Sequence, residues 1–206
     1  MSAAPAAVSI RRVLLVGALA AAVAAGGLVW LRKPAPLPEK PLAELVRVEG
    51  RFLLRNDTNQ PFTGWVTEHY SSGALRSRSK VAAGRLEGPS EGWHTNGVLQ
   101  VREVFVAGLS EGVVTKWHAD GTKASEGTSR AGKYEGTFRR WHTNGVLAEE
   151  LNLVAGEPHG VARSWFPSGS PKAEATLEQG KVVKQQFWKD GERLPEPILA
   201  EAGNRR

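Results

Sequence analysis

Apolar and polar side chains alternate along much of the chain with a period of two residues. Between Gly136 and Val154 the odd positions include Trp141, Leu147 and Leu151, and neighbouring stretches repeat the pattern. Such alternation is typical of β-strands, whose successive side chains point to opposite faces of a sheet. It breaks at clusters that contain glycine. The pattern therefore predicts short antiparallel strands joined by tight turns, with the odd positions forming the more apolar face.

The glycines recur every 24 residues and show that one unit is repeated. Three glycine positions repeat in phase, and fifteen of the 23 glycines occupy them. A fixed period of this kind is the signature of a repeat protein, so we predict hairpin copies that start near residues 64, 88, 112, 136, 160 and 182. The first position holds Gly64, Gly88, Gly112, Gly136 and Gly160; the second holds Gly73, Gly97, Gly121, Gly145 and Gly169; the third holds Gly84, Gly108, Gly132, Gly156 and Gly180.

The heptapeptide Trp-His-Thr-Asn-Gly-Val-Leu occurs twice, starting at Trp93 and at Trp141. A two-residue Asn-Gly turn would place Trp93 opposite Gln100. A three-residue loop with Gly97 in the left-handed conformation would instead place Trp93 opposite Leu99. The second arrangement keeps apolar residues together, so it is the one we predict. The third glycine position predicts a similar glycine turn into the next copy.

These residues resemble a known family. The spacing G-x-x-x-x-W/Y-[aromatic or His]-x-x-G-x-L, the linking glycine and the sequence PFTG at 61–64 are similar to the MORN-repeat variant of the bacterial YwqK-type antitoxins. The resemblance covers about residues 45–194, although three copies carry Trp-His where the family has a double tyrosine. It implies an all-β fold, an elongated antiparallel meander of 24-residue β-hairpin repeats. The antitoxin label implies neutralisation of a partner toxin by direct binding.

The N-terminal region carries a second signal. Residues 13–31 form an uncharged apolar run between Arg11-Arg12 and Arg32-Lys33, long enough for one transmembrane helix or an uncleaved signal anchor. We expect a cytoplasmic tail at 1–12, a Pro-rich extended spacer at 32–44 and a disordered tail at 195–206. This organisation predicts a single-pass protein of the bacterial inner membrane with an extracytoplasmic repeat domain. Cleavage near residues 22–25 would instead make the protein secreted.

Composition narrows the function classes. The net charge of +6 comes mostly from the N-terminus, and basic and acidic residues nearly balance from residue 42 onward, so no nucleic-acid partner is predicted. Without cysteine the chain has no disulfide, thiol catalysis or Cys-ligated zinc. No catalytic sequence motif is present, and we predict no catalytic residues, no metal ligands and no cofactor.

Two sets of side chains are candidate sites. The tryptophans of successive copies should lie two strands apart, roughly 9.5 to 10 Å, in one row that either packs the sheet or docks a partner. The histidines that follow three of them, His94, His118 and His142, are too far apart at this spacing to share a metal ion, so we interpret them as incidental half-exposed residues. The candidate interaction surface is Trp93, Trp117, Trp141 and Trp165.

Together these features predict a membrane-anchored, non-enzymatic binding or scaffold protein. Its partners would be the membrane, through the N-terminal helix, and an unidentified protein, glycan or lipid surface contacted by the repeat sheet. The alternative is an antitoxin or immunity-type protein that neutralises a toxin by binding it.

Overall fold

The computed structural model describes residues 35–178 and 180–191, and these residues form an all-β structure as predicted. One 3-10 turn, Leu42–Glu44, interrupts the strands. The strands are β1 Glu39–Pro41, β2 Leu45–Val48, β3 Arg51–Leu54, β4 Asp57–Pro61, β5 Gly64–His69, β6 Leu75–Ala82, β7 Arg85–Trp93, β8 Leu99–Val106, β9 Leu109–Ser110, β10 Gly112–Trp117, β11 Lys123–Arg130, β12 Lys133–Trp141, β13 Leu147–Val154, β14 Glu157–Trp165, β15 Pro171–Glu178 and β16 Lys181–Phe187.

The main sheet has 13 strands in the order β1-β5-β6-β7-β8-β10-β11-β12-β13-β14-β15-β16, with β9 paired to β8. From β5 onward, strands that follow one another in this order are antiparallel neighbours, so the predicted meander of repeated hairpins is confirmed. Each 24-residue copy adds one hairpin to the sheet.

The structure differs from the predicted boundaries before residue 64. Residues 45–61 do not join the meander but form a separate antiparallel sheet of β2, β3 and β4. Within the predicted spacer, Glu39–Pro41 forms a parallel edge strand beside β5, where proline is tolerated because one side of the strand needs no donor. The backbone at Gly64 lies close to that of Pro38. A Cβ at position 64 would lie only 2.2 Å from Pro38 O, so this position needs glycine.

The small sheet caps the first copies of the repeat. Leu45 and Phe52 of the small sheet pack with Phe62 and with Val66 and Val81 of the main sheet, and Leu45 and Val81 are almost fully buried. The Phe52 N–H also donates a hydrogen bond of 2.7 Å to the Gly84 carbonyl. We call the face of the main sheet that carries Val66 and Val81 the covered face.

The hairpin loop has the predicted register. Trp93 pairs with Leu99, the Gly97 N–H donates to the His94 carbonyl at 2.9 Å, and Gly97 has φ +83°. A three-residue loop that ends in left-handed glycine is therefore confirmed. The second connection is different, because it is a two-residue turn in which both residues have positive φ, as in Ala131-Gly132 at 49° and 81°. This is the geometry of a type I′ turn.

A bulge after each loop overturns the predicted single apolar face. In the 136 copy, Arg140 pairs with Glu149 and Trp141 with Leu147, which leaves Ala148 unmatched. The extra residue shifts the alternation, so Trp141 and Leu147 lie on the face opposite Leu151. The other four hairpins have the same bulge. We call the face with the tryptophans the ladder face.

Other predictions fall on residues that the structure does not describe. The cytoplasmic tail at 1–12, the transmembrane helix at 13–31 and the tail at 195–206 all lie outside the described residues. Within the described part of the chain, no helix is long and apolar enough to span a membrane.

Candidate interaction surface

The four predicted tryptophans lie in one row on the ladder face, close to the hairpin loops. Each ends the first strand of its hairpin and is half-buried. Between them the second strands contribute Leu99, Lys123, Leu147 and Pro171. Cations lie near two of the rings, with Arg102 6.0 Å from the Trp117 centroid and Lys123 5.3 Å from that of Trp141. We call this row the tryptophan row.

A row of alternating charge runs beside the tryptophan row on the same face. Glu91 pairs with Arg102 at 2.8 Å, Arg139 with Glu150 at 2.7 Å, and Arg163 with Glu174 at 2.9 Å. Exposed pairs of this kind add little stability each. The sequence interpretation missed this charged row, although its signal is a Glu and an Arg 11 residues apart in three hairpins. Its members are Arg78, Glu91, Arg102, Glu126, Arg139, Glu150, Arg163 and Glu174.

The histidines of the repeat are not incidental, so that interpretation was wrong. The Nε2 atoms of His94, His118 and His142 each lie 2.9 Å from the carbonyl oxygen of the tryptophan in the next copy. A carbonyl can only accept, so Nε2 is the donor. In the first copy the Tyr70 hydroxyl donates the equivalent bond to Trp93 O at 2.7 Å. A donor at this position therefore joins neighbouring copies.

The loop asparagines make a second bond between copies. The Asn96 side chain donates to Ala119 O and that of Asn144 to Pro167 O, both at 2.7 Å. Asp120 at the same position has no donor; it accepts from Thr122, whose hydroxyl lowers the pKa of Asp120 below its ordinary 3.8.

The last loop uses serines instead of asparagine. The hydroxyls of Ser168 and Ser170 both donate to Asp190 at 2.5 Å, and these two bonds, Ser168's first, hold the pKa of Asp190 below 3.8. This cluster takes the place of the asparagine bond at the final copy.

The side of the sheet that carries the type I′ turns also has hydrogen bonds between copies. The carboxylates of Glu87, Glu111 and Glu135 accept from the backbone N–H of the alanine in the following type I′ turn, at 2.7 to 2.8 Å. The turn glycine beside each alanine donates to a carbonyl of the preceding copy, as in Gly132 N to Ser110 O at 2.9 Å. Hydrogen bonds therefore join neighbouring copies both at the three-residue loops and at the type I′ turns.

An exposed apolar patch lies on the ladder face near the type I′ edge. Its residues are Val104, Val106, Leu109 and Val113, whose exposed fractions are 42 to 56%. The next copy has polar or charged residues at the same four positions, namely Thr128, Arg130, Lys133 and Thr137. We call this set the valine-leucine patch.

The covered face is open beyond the cap and forms a shallow groove of about 900 Å³. Tyr134 and Phe138 pack edge to face at 5.1 Å in its floor, beside Leu151 and Leu153. Burial raises the pKa of Tyr134 above its ordinary 10.0, and the charge of Glu103 adds to the shift. In the described part of the chain, no three metal-binding side chains cluster closely enough to hold an ion.

The fold and the hydrogen bonds between copies define a protein built from antiparallel β-hairpin repeats. Residues 134–154 and 158–179 match the MORN repeat variant family, which places β12–β13 and β14–β15 in two consecutive MORN-type copies. This confirms the MORN-repeat part of the resemblance.

Other comparisons add little. No curated protein matches the sequence. Two solved structures of TarM, one of them an S. aureus mutant in complex with Fondaparinux, alpha-GlcNAc-glycerol and UDP, share 13% identity with this chain at a TM-score of 0.31. The matches cover 47% and 48% of this chain and 19% of each TarM chain. A similarity at this level supports no conclusion about function.

Proposed function

We propose that the protein is a membrane-anchored, non-enzymatic binding or scaffold protein whose ladder face contacts a partner outside the cytoplasm. The valine-leucine patch is the observation that carries the binding proposal. Exposed apolar side chains grouped in neighbouring strands are typical of interaction surfaces, whereas single ones are normal.

The repeat itself provides the argument that the patch is not needed for folding. The copy that follows folds with Arg130 and Lys133 where the patch has Val106 and Leu109. Both pairs occupy the same place, at the two ends of a type I′ turn. Because the hairpin accepts charged residues here, the apolar ones are best explained by contact with a partner.

Anchoring rests on the sequence of residues 13–31. Protease digestion of intact spheroplasts tests the proposed orientation, because an extracytoplasmic repeat domain is cut from outside while residues 1–12 are protected. Recovery of the full-length chain only from the soluble cytoplasmic fraction would contradict the anchor.

Binding is tested by exchanging the patch for the residues of the next copy. The variant Val104→Thr, Val106→Arg, Leu109→Lys, Val113→Thr should keep the circular dichroism of the native protein but lose a partner that the native chain captures from detergent-solubilised membranes. A matched control, Val154→Arg with Val161→Thr, alters two other exposed valines of the ladder face. Equal capture by the native, patch and control proteins would contradict a role for the patch.

The alternative, an antitoxin-type protein, rests on the resemblance of the repeat sequence to the YwqK-type antitoxins. The same capture experiment separates the two, because an antitoxin should retain a protein with a toxin-like domain. Co-expression should then restore growth that the toxin alone stops. Capture of a partner whose expression is harmless would favour the scaffold.

A further inference from the structure

We propose that the tryptophan row and the charged row together bind an extended β-1,4-linked glycan that lies across the strands. This inference rests on the proposed binding function and names the class of partner for one strip of the ladder face. It concerns residues separate from the valine-leucine patch.

The spacing of the row is the first argument. Trp117 and Trp141 end first strands of consecutive hairpins, so they are two strands apart, about 9.4 to 9.8 Å. Adjacent rings of a β-1,4-linked glycan turn over by about half a rotation, so the chain repeats as a disaccharide that is two sugar rings long. Each sugar ring advances by about one strand spacing, so each disaccharide meets one tryptophan in the same orientation.

The chemistry of the two rows is the second argument. An indole ring offers an apolar surface that stacks on the C–H face of a pyranose ring. Hydroxyl groups at the rim of the sugar need both donors and acceptors, and the neighbouring row supplies them alternately, as in Arg139 beside Glu150. Each of these ion pairs places a donor group beside an acceptor group, so both kinds of group lie within reach of the same sugar.

The same features disfavour other partners for this strip. An extended peptide repeats its side chains on one face every 6.4 to 6.8 Å, which is out of step with the tryptophans. An anionic lipid surface would gain nothing from the charged row, because its arginines and glutamates balance. A regular uncharged polymer fits both the period and the charge.

Titration of the full-length protein in detergent with oligosaccharides of defined length tests the proposal. The probes are β-1,4-linked oligomers of N-acetylglucosamine and of glucose with two, four, six and eight sugars. The affinity for at least one series should rise several-fold with each added disaccharide up to eight sugars, because four tryptophans are available. Oligomers of α-1,4-linked glucose, which coil, are the matched control and should bind at least about 10-fold more weakly.

Two further measurements test the proposal without any substitution of the tryptophans, which could unfold the protein. In the native protein, the indole N–H signals of the tryptophan row should shift in nuclear magnetic resonance spectra on addition of the eight-sugar ligand. The variant Arg139→Gln with Glu150→Gln leaves every tryptophan in place and should lower the affinity at least several-fold.

The proposal is overturned if no β-1,4-linked oligomer binds, if affinity does not depend on length, or if the row's indole signals stay unchanged. Failure of the glycan proposal leaves the patch exchange untouched, because that experiment uses other residues. Conversely, if the protein binds the glycan but the patch exchange does not change partner capture, the glycan proposal stands and only the role of the valine-leucine patch is contradicted.

Discussion

Residues that recur from copy to copy serve two distinct purposes. In the 136 copy, Trp141 pairs with Leu147 within one hairpin, whereas His142 and Asn144 reach carbonyl groups of the next one. The pair sets the register of a hairpin, and the two donors join hairpins that would each be marginal alone. The repeated heptapeptide thus encodes both a unit and its connection.

The histidine bond should be measurable by substitution. His118→Phe removes the donor to Trp141 O but keeps an aromatic ring, as Phe166 does in the last full copy. We expect a loss of about 1 kcal/mol in the free energy of unfolding, the usual contribution of one hydrogen bond. Urea denaturation measures it. His159→Phe is the control, because His159 is exposed and outside this set, and an equal loss in both variants would refute the role of the bond.

Asp190 should make the last loop sensitive to acid. Its carboxylate accepts from Ser168 and Ser170, which lowers its pKa in the folded state below the ordinary 3.8. The stabilisation is fully present above the pKa of the unfolded chain and is lost as the pH falls through the folded value. A carboxyl titration by nuclear magnetic resonance should give a midpoint below 3.8 that moves upward in the variant Ser168→Ala with Ser170→Ala. An unchanged midpoint would mean that the serines do not hold Asp190.

At the scale of elements, the two kinds of turn differ in the residues that occupy their left-handed positions. The three-residue loops place glycine at their left-handed position, whereas the type I′ turns place alanine at the first of two left-handed positions, as at Ala131. A side chain in this conformation costs roughly 1 to 2 kcal/mol. The carboxylate of Glu111 on the Ala131 N–H helps to hold the strained turn.

Relief of this strain should stabilise the protein. Ala131→Gly removes the Cβ that disfavours φ 49°, while glycine loses about 0.5 to 1 kcal/mol in conformational entropy. We expect a net gain of up to about 1.5 kcal/mol in the free energy of unfolding. Ala175→Gly, inside β15, should instead cost about 0.5 to 1 kcal/mol. A loss in both variants, measured by urea denaturation, would show that the turn is not strained.

At the scale of the whole molecule, one end of the repeat differs from the rest. The small sheet of β2, β3 and β4 covers the first copies, and Phe52, Phe62 and Val81 are buried there. Farther along, each copy contacts chiefly its neighbours, so stability should be a sum of local terms. Among the residues that the structure describes, no other element packs on the ladder face, and this part of the sheet is where we propose binding.

Damage to the cap should therefore remain local. Phe52→Ala should cost about 3 to 5 kcal/mol locally, as loss of a buried aromatic ring does. Hydrogen exchange should show lost protection in β5 to β7 and retained protection in β12 to β15. A uniform loss across the sheet would mean that the repeat unfolds as one unit. Leu37→Ala, at an exposed site, is the control.

Most of the architecture was predictable, and specific local features explain the rest. Glycine spacing predicted the hairpins, and the preference for pairing apolar residues predicted the Trp93–Leu99 register, because both depend on neighbouring residues. The bulge at Ala148 was missed, and with it the true division of apolar residues between faces, because one unmatched residue leaves no mark in a period-two pattern. The charged row was missed because its pairs form only once the strands align.

The sequence alone determined the hairpin unit, its period and its loop, since these follow from backbone preferences and contacts within a few residues. Only the tertiary structure decided which side chains share a face and which ones reach the next copy. It also showed that residues 45–61 form a cap and that the histidines join copies. These features depend on pairing between distant residues, and a bulge, a cap or a bond across copies has its geometry only after the sheet has formed.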